Sequence, residues 1–264
     1  MIPKVIHYIW FGGKELPEDA KSCIESWKKY CPDYRIVRWD ESNFDFSNNT
    51  YASQAYENKK WAFVSDYARL WILVHEGGIY MDTDVEVTAP LDEFLEHQAF
   101  SGFESNSSIP TGIMACEKGF GLFADLLADY DNREFVLPDG SFDMKTNVTA
   151  ITHACKSAGL ELNNTFQVVK GLVLYPSEWF CPKSHETGVI SRTANTHTIH
   201  HFSGSWLDEN ERAFADRKMS ILAKRPWLSP VLVSICLRVG YGLRTGDFSY
   251  VTSKARILFD GFRK

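Results

Sequence analysis

The chain has 264 residues, of which 44% are hydrophobic and 23% charged, and its net charge is −6. These values are typical of a soluble globular protein with a substantial core. The apolar run at 227–237 is too short to cross a membrane, and the six cysteines form no C-x-x-C pair. A membrane-spanning protein and a zinc-binding protein are therefore not expected, and no secretion signal is predicted at the N-terminus.

Strand and helix patterns alternate along most of the chain. Helices are predicted at 17–30, 60–75, 120–130 and 147–158, and strands at 5–11, 34–39, 79–87, 99–103, 166–169, 172–175 and 198–202. Apolar side chains with 3.6-residue spacing indicate the helix at 60–75, and Gly77 is expected to cap it. The alternation predicts an α/β domain whose central sheet is mainly parallel and covered by helices.

The charge is divided unevenly along the chain. Residues 217–264 contain ten Lys or Arg and two Asp or Glu, a net charge of +8, so residues 1–216 carry −14. Basic residues flank the apolar run at 227–237, a pattern typical of a helix lying on an anionic membrane surface. We predict a main domain at 1–216 and a basic amphipathic helical extension at 217–264, which either binds such a surface or packs on the domain.

A D-x-D motif lies within the predicted strand at 79–87. Because residues two apart on a strand share a face, Tyr80, Asp82 and Asp84 are expected on one side. Two carboxylates there form an oxygen-rich site suited to Mn²⁺ or Mg²⁺, which can stabilise a diphosphate leaving group. With carboxyls roughly 7 Å apart, the pair is also compatible with the acid and base of a glycoside hydrolase.

A second charged pair precedes this motif. Asp66 and Arg69 stand at i, i+3 and therefore lie on one face of the helix predicted at 60–75. They form either a surface ion pair or a carboxylate for sugar hydroxyls beside a guanidinium for a phosphate or sugar oxygen. The spacing alone leaves both interpretations open.

Three stretches together resemble a known family. IPKVIHYIWFGG at the N-terminus, FVSDYARLWILVHEGGIYMDTDVE in the middle and HHFSGSW near residue 206 are similar to the DXD-containing glycosyltransferases of family 32, of the capsular-polysaccharide and initiating α-1,6-mannosyltransferase type. The glucosyltransferase domains of the large clostridial toxins are more distantly similar. The resemblance implies a GT-A fold, a single Rossmann-like α/β domain with helices on both faces of its sheet.

The resemblance also implies residue roles. Trp10 corresponds to an indole that stacks on the nucleotide base, and Asp66 and Arg69 to a pair that grips the donor sugar. Tyr80 belongs to the donor-binding group. Asp82 corresponds to a residue that contacts ribose and sugar hydroxyls, and the metal through water, while Asp84 corresponds to the direct metal ligand. Asp66, Arg69, Asp82 and Asp84 are thus the expected catalytic residues.

The HHFSGSW segment is expected to supply side chains that contact the metal and the diphosphate from the far side. His201 is the preferred second protein ligand of the metal, and His200 is the alternative. Only one of them is expected to bind the metal, because neighbouring residues on a strand face opposite ways. Trp206 corresponds to an indole whose N–H donates to the β-phosphate, and Ser205 is expected to assist. Near Asn147 the sequence departs from the family's pattern, so no role is assigned to that residue.

The resemblance implies a metal-dependent, retaining transfer of a hexose or N-acetylhexosamine from a nucleotide-diphosphate sugar. Trp10 favours a UDP-sugar, and a mannosyltransferase using GDP-mannose is the alternative. The expected acceptor is a glycan, such as a lipid-linked oligosaccharide of capsule or O-antigen synthesis. We therefore expect a cytoplasmic protein, peripheral at the inner face of the plasma membrane, with Mn²⁺ or Mg²⁺ as cofactor and no nucleic-acid partner. A glycoside hydrolase and a non-enzymatic membrane-associated assembly factor are the hypotheses of other classes.

Overall fold

The structure is a computed structural model, and it describes residues 1–205, 209–225 and 227–245. The N-terminal half contains six strands and three helices in the described residues. In chain order they are β1 (Val5–Ile9), α1 (Glu18–Tyr30), β2 (Arg35–Trp39), α2 (Thr50–Glu57), α3 (Trp61–Glu76), β3 (Gly78–Met81), β4 (Val85–Val87), β5 (Ala99–Gly102) and β6 (Ile113–Cys116).

The second half continues with short strands and helices. They are α4 (Gly121–Ala128), α5 (Asn147–Ser157), β7 (Gln167–Val169), β8 (Leu172–Tyr175), α6 (Ser177–Phe180), β9 (Thr198–His200), α7 (Glu209–Lys224) and α8 (Pro230–Thr245), with 3₁₀ turns at Asp92–Phe94 and Asp129–Asn132. Trp206 and residues 246–264, which include part of the predicted helical extension, lie outside the described residues.

Seven strands form one mixed sheet in the order β2-β1-β3-β6-β5-β8-β7. Five of them point the same way, whereas β6 and β7 run in the opposite direction. A second, two-stranded antiparallel sheet pairs β4 with β9. The predicted α/β class with a mainly parallel sheet is therefore confirmed.

Helices cover both faces of the large sheet. Ile24 and Trp27 of α1 pack in one apolar cluster with Ile79 of β3, and Val64 and Leu73 of α3 belong to the other cluster. Because side chains alternate along β3, its neighbouring residues contribute to the two clusters in turn. The two cores fix the sheet between α1 and α3, in agreement with the helices on both faces that the resemblance implied.

The helix predicted at 60–75 is confirmed within one residue as α3, and Gly77 follows it at φ +69°. Two glycines are required at this junction. A Cβ on Gly77 would lie 2.7 Å from the backbone nitrogen of Lys118, and one on Gly78 would lie 2.8 Å from the carbonyl oxygen of Val5. The glycine pair lets the chain pass directly from α3 into β3.

The single strand predicted at 79–87 is wrong. The chain leaves the large sheet after Met81, turns at Asp82–Asp84 and enters the small sheet as β4. The N–H of Val85 donates to the carbonyl of Asp82 at 3.0 Å, which closes the turn. Alternation of side chains therefore does not extend across both aspartates, although Tyr80 and Asp82 do contact each other.

Two compact units divide the chain. The first consists of 1–183 and 191–202, and the second of 184–190 and 203–264. Within the second unit α7 packs against α8. The boundary predicted at residue 217 falls inside α7, which begins at Glu209. None of the described helices is both long enough and apolar enough to cross a bilayer.

Candidate metal and donor-sugar site

The end of β3 and the turn that follows it hold the two aspartates in place. The backbone N–H of Asp82 donates to the carbonyl of Gly112 at 2.8 Å, which anchors the start of the turn to the large sheet. The hydroxyl of Tyr80 donates to Oδ1 of Asp82 at 2.6 Å. The turn then brings Asp84 round to the same region, so backbone hydrogen bonds rather than strand alternation bring the two carboxylates together.

His200 joins the two aspartates from β9. It pairs with Val85 in the antiparallel register of β4 and β9. Its Nε2 lies 3.2 Å from Oδ1 of Asp84 and 4.0 Å from Oδ2 of Asp82. One ligand atom from each of the three side chains lies within 4.8 Å of the others, and each residue is partly exposed. This is the one such group among the described residues.

His201 does not belong to this group. Its backbone N–H donates to the carbonyl of Asp84 at 2.9 Å, and its Nε2 lies 3.0 Å from Oε2 of Glu86. Because neighbouring residues on a strand face opposite ways, the register that directs His200 to the aspartates turns His201 away. The structure therefore groups the alternative, His200, with the two aspartates, and the preferred His201 lies outside that group.

Gly112 makes room for the His200 ring. A Cβ on this residue would lie 2.7 Å from Nδ1 and 2.8 Å from Cε1 of His200. Any side chain would therefore push the imidazole out of its position. Sequence reasoning did not identify Gly112, because a residue that acts by leaving space carries no chemical signal of its own.

Asp66 and Arg69 form a buried ion pair rather than a surface one. Their side chains are 9% and 7% exposed, and Nη2 of Arg69 lies 3.4 Å from Asp66 and 3.5 Å from Asp82. Nη1 of Arg69 donates to the carbonyl of Thr111 at 2.7 Å, and the guanidinium lies 4.7 Å from the ring centre of Tyr80. The pair predicted from the helix spacing therefore adjoins the aspartates, and Arg69 bridges the two.

Asn147, to which the sequence assigned no role, fixes Asp66. Its backbone N–H donates to Oδ2 of Asp66 at 3.0 Å, and its side-chain amide donates to the carbonyl of the same residue at 2.5 Å. The hydroxyl of Tyr130 donates to Oδ1 of Asn147 at 2.7 Å. These groups are buried, so the Asp66 carboxylate is held at the N-terminal end of α5.

The electrostatics of the site favour positive charge. Burial raises the pKa of Asp66, and the nearby Arg69 partly opposes that rise. Burial lowers the pKa of His200, but the carboxylate of Asp84 outweighs it and holds the pKa well above the usual value. The carboxylates of Asp82 and Asp84 carry a formal charge of −2 once His200 has given up its proton to bind an ion. Two carboxylates and an imidazole with that charge fit a divalent ion such as Mn²⁺ or Mg²⁺.

Trp10 lies at the same edge of the sheet as the D-x-D turn. It directly follows β1, which is the parallel neighbour of β3, and Asp82 directly follows β3. Its indole is partly exposed, and Nε1–H donates to the carbonyl of Lys14 at 2.7 Å. Ser205 is exposed and belongs to the second unit, and Trp206 lies outside the described residues.

Part of the chain is similar to known glycosyltransferases. Residues 17–101 match the model of the glycosyltransferase sugar-binding region containing DXD motif. Inositol phosphoceramide mannosyltransferase 3 of Schizosaccharomyces pombe is 35% identical over 126 residues, which are 45% of this chain and 34% of that protein. Inositol phosphoceramide mannosyltransferase 1 of the same yeast is 33% identical over 110 residues, 38% of this chain and 33% of that protein. The chain thus spans about a third of the length of these relatives.

Among solved structures, the chain is similar to one titled PaToxG Glycosyltransferase. The TM-score is 0.45 and the identity 22%, over 59% of this chain and 69% of that one.

The matched region and the named relatives are similar to this chain in the part that carries the D-x-D motif. The region matched at 17–101 contains Asp66, Arg69, Asp82 and Asp84. The predicted resemblance is therefore confirmed, and the observed α/β sheet agrees with the GT-A type that it implied.

Proposed function

We propose that the chain is a metal-dependent glycosyltransferase that takes a sugar from a nucleotide-diphosphate donor and retains its anomeric configuration. The observation that carries this proposal is the adjacency of two groups at the end of β3. Asp82, Asp84 and His200 form a compact set of oxygen and nitrogen ligands, and the buried Asp66–Arg69 pair adjoins it through Asp82. A diphosphate and a sugar need these two kinds of group side by side.

The proposed roles follow from burial and charge. Asp84 and His200 would hold the ion, with Asp82 beside them, and the bound ion would neutralise charge on the departing diphosphate. Arg69 is fixed by Asp66, Asp82 and Thr111, so it can offer its remaining donor capacity to the donor at little entropic cost. Asp66, held by the α5 N-terminus, is placed to accept hydrogen bonds from sugar hydroxyls.

The hydrolase hypothesis is less well supported. Ligand atoms of Asp82 and Asp84 lie within 4.8 Å of each other, which is closer than the separation of about 6.5–9.5 Å that an inverting glycosidase needs. Both carboxylates also have basic partners, since Asp82 lies near Arg69 and Asp84 near His200. The general acid of a glycosidase is instead kept protonated by apolar surroundings.

The donor and acceptor are finer parts of the proposal. Trp10, partly exposed at the sheet edge, supports stacking on a uridine base, and hence a hexose or N-acetylhexosamine from a UDP-sugar. A mannosyl donor is the second candidate, because the two yeast relatives described above are named mannosyltransferases. We propose a glycan acceptor carried on a lipid at the inner face of the plasma membrane, as in capsule or O-antigen synthesis.

A panel of nucleotide sugars tests the proposal without knowledge of the acceptor. The protein should hydrolyse one donor slowly with Mn²⁺, lose that activity in EDTA and regain it when Mn²⁺ is restored. Asp84→Asn should reduce the rate at least 100-fold, because the variant removes the charge of a direct ligand. Asp125→Asn, an exposed aspartate on α4, is the matched control and should keep full activity.

Two results would contradict the proposal. One is hydrolysis of a glycoside that needs no nucleotide sugar and survives EDTA, which would support the hydrolase. The other is an Asp84→Asn variant that retains both Mn²⁺ affinity, measured by isothermal titration calorimetry, and donor hydrolysis.

A further inference from the structure

The outward face of α8 is apolar along its whole length. Exposed apolar residues recur at i, i+4 intervals, and they continue in the turn before the helix. They are Trp227, Val231, Leu232, Ile235, Val239 and Leu243, with exposures from 38% for Val239 to 76% for Trp227. Exposed Cys236 and Gly240 lie among them, so the helix presents a continuous apolar face to solvent.

The partner helix shows that this exposure is specific to α8. α7 packs against α8 in the same unit, and its exposed positions include Arg212, Ala213, Asp216 and Arg217. On its other side α8 packs in the hairpin, where Val233 is buried and lines an apolar cleft with Ile221 of α7. Leu232 and Cys236 lie at the edge of this cleft, so the fully uncovered face consists of Val231, Ile235, Val239 and Leu243. The hairpin therefore buries one apolar side of α8 and leaves a second apolar side uncovered in the described structure.

Positive charge borders the uncovered side. Lys224 and Arg225 precede the helix and Arg244 lies in its last turn, and all three are exposed. The sequence from 224 to 245 contains four basic residues and no acidic residue. An apolar helix face with cations at both ends matches the boundary between lipid headgroups and acyl chains.

We propose that the outward face of α8 lies in the interface of an anionic membrane and attaches the protein to it. The helix has 16 residues and is about 24 Å long at 1.5 Å per residue, which suits a position parallel to the surface. The apolar side chains insert below the headgroups while Lys224, Arg225 and Arg244 contact lipid phosphates. Each such contact strengthens binding about fivefold.

Charge favours a membrane over a second copy of the chain. Self-association through this face would bring two segments of +4 together, and no acidic residue at 224–245 would offset them. Anionic lipid supplies the opposite charge over the whole length of the helix. The proposal concerns attachment alone and is independent of the donor chemistry at the D-x-D turn.

Vesicle flotation with the full-length protein tests the proposal. The protein should float with vesicles that contain about 30% phosphatidylglycerol at physiological salt, and should bind pure phosphatidylcholine vesicles at least tenfold more weakly. Ile235→Glu places a charge in the centre of the apolar face and should reduce binding at least tenfold. Ala213→Glu adds the same charge at an exposed position of α7 and should change binding less than threefold.

Circular dichroism should show the same helix content in both variants, because both positions are exposed. Three outcomes would overturn the proposal. In the first, the wild-type protein does not bind anionic vesicles. In the second, the Ile235→Glu and Ala213→Glu variants lose binding equally. In the third, Ile235→Glu would convert a dimer to a monomer, as measured by light scattering, without any change in vesicle binding.

Discussion

His7 makes the stability of the fold depend on pH in a way that can be worked out from its contacts. The side chain is buried on β1. Nε1–H of Trp39 donates to its Nδ1 at 3.0 Å, so Nε2 carries the proton and donates to the carbonyl of Gly77 at 2.9 Å. A second proton on the ring would bind at Nδ1 and would place that N–H against the N–H of Trp39. Burial and this arrangement favour the neutral ring and lower the pKa of His7 to about 4.

The sign and size of the effect follow from linkage. Between pH 6.5 and about 4 the unfolded chain binds a proton at His7 and the native protein does not, so stability falls as the pH falls. Each unit of pKa corresponds to about 1.4 kcal/mol. The shift from 6.5 to about 4 therefore removes about 3 kcal/mol of unfolding free energy, and the contribution is complete above pH 6.5.

Urea denaturation followed by tryptophan fluorescence, at pH values from 4 to 7.5 in EDTA, measures this contribution. His7→Gln replaces the imidazole by a group that donates and accepts but does not titrate. The difference in unfolding free energy between wild type and His7→Gln should change by about 1.4 kcal/mol per pH unit below 6.5. His153→Gln, at an exposed position of α5, is the control for replacing a histidine by glutamine.

The reasoning would be refuted by a wild-type-minus-variant difference that stays flat across this range. It would equally be refuted by an NMR titration that places the pKa of His7 near 6.5 in the folded protein.

Two further substitutions address the site. Gly112→Ala should displace the His200 ring and weaken Mn²⁺ affinity at least tenfold in calorimetry, the scale of effect seen when groups that orient metal ligands are lost; unchanged affinity would show that His200 is not a ligand. Trp10→Ala should weaken nucleotide binding by roughly 1–3 kcal/mol, the range for base–aromatic stacking, and unchanged donor affinity would remove the base-stacking role.

The elements that the sequence predicts well are those whose signal is local. α3 has a long amphipathic pattern and a glycine pair at its end, so both its type and its last turn could be predicted. The sequence pattern predicts one strand where the structure has β3 and β4. Apolar and polar side chains alternate through β3, the tight turn and β4 as they would along one long strand. Only the backbone hydrogen bond that closes the turn, and the partner strands of two different sheets, separate them.

The residues of the candidate site also differ in whether their signal in the sequence is local. The D-x-D pair and the i, i+3 pair of α3 are close in sequence, so the spacing and the resemblance together could identify them. The choice between His200 and His201 depends on the register of β9 against β4, and a slip of one residue would reverse it. Asn147 and Gly112 could not be predicted, because one acts largely through its backbone and the other through the absence of a side chain.

The turn that carries Asp82 and Asp84 is also the point where the chain changes from one sheet to the other. Asp82 is held by the large sheet through Gly112, and Asp84 by the small sheet through the N–H of His201. The separation of the two carboxylates is therefore a property of the backbone, set where two independent ladders meet. Loops outside these ladders can lengthen, shorten or change their side chains without moving either carboxylate. In the glycosyltransferase that we propose, loop variation can therefore change the acceptor while the geometry proposed to bind the donor stays fixed.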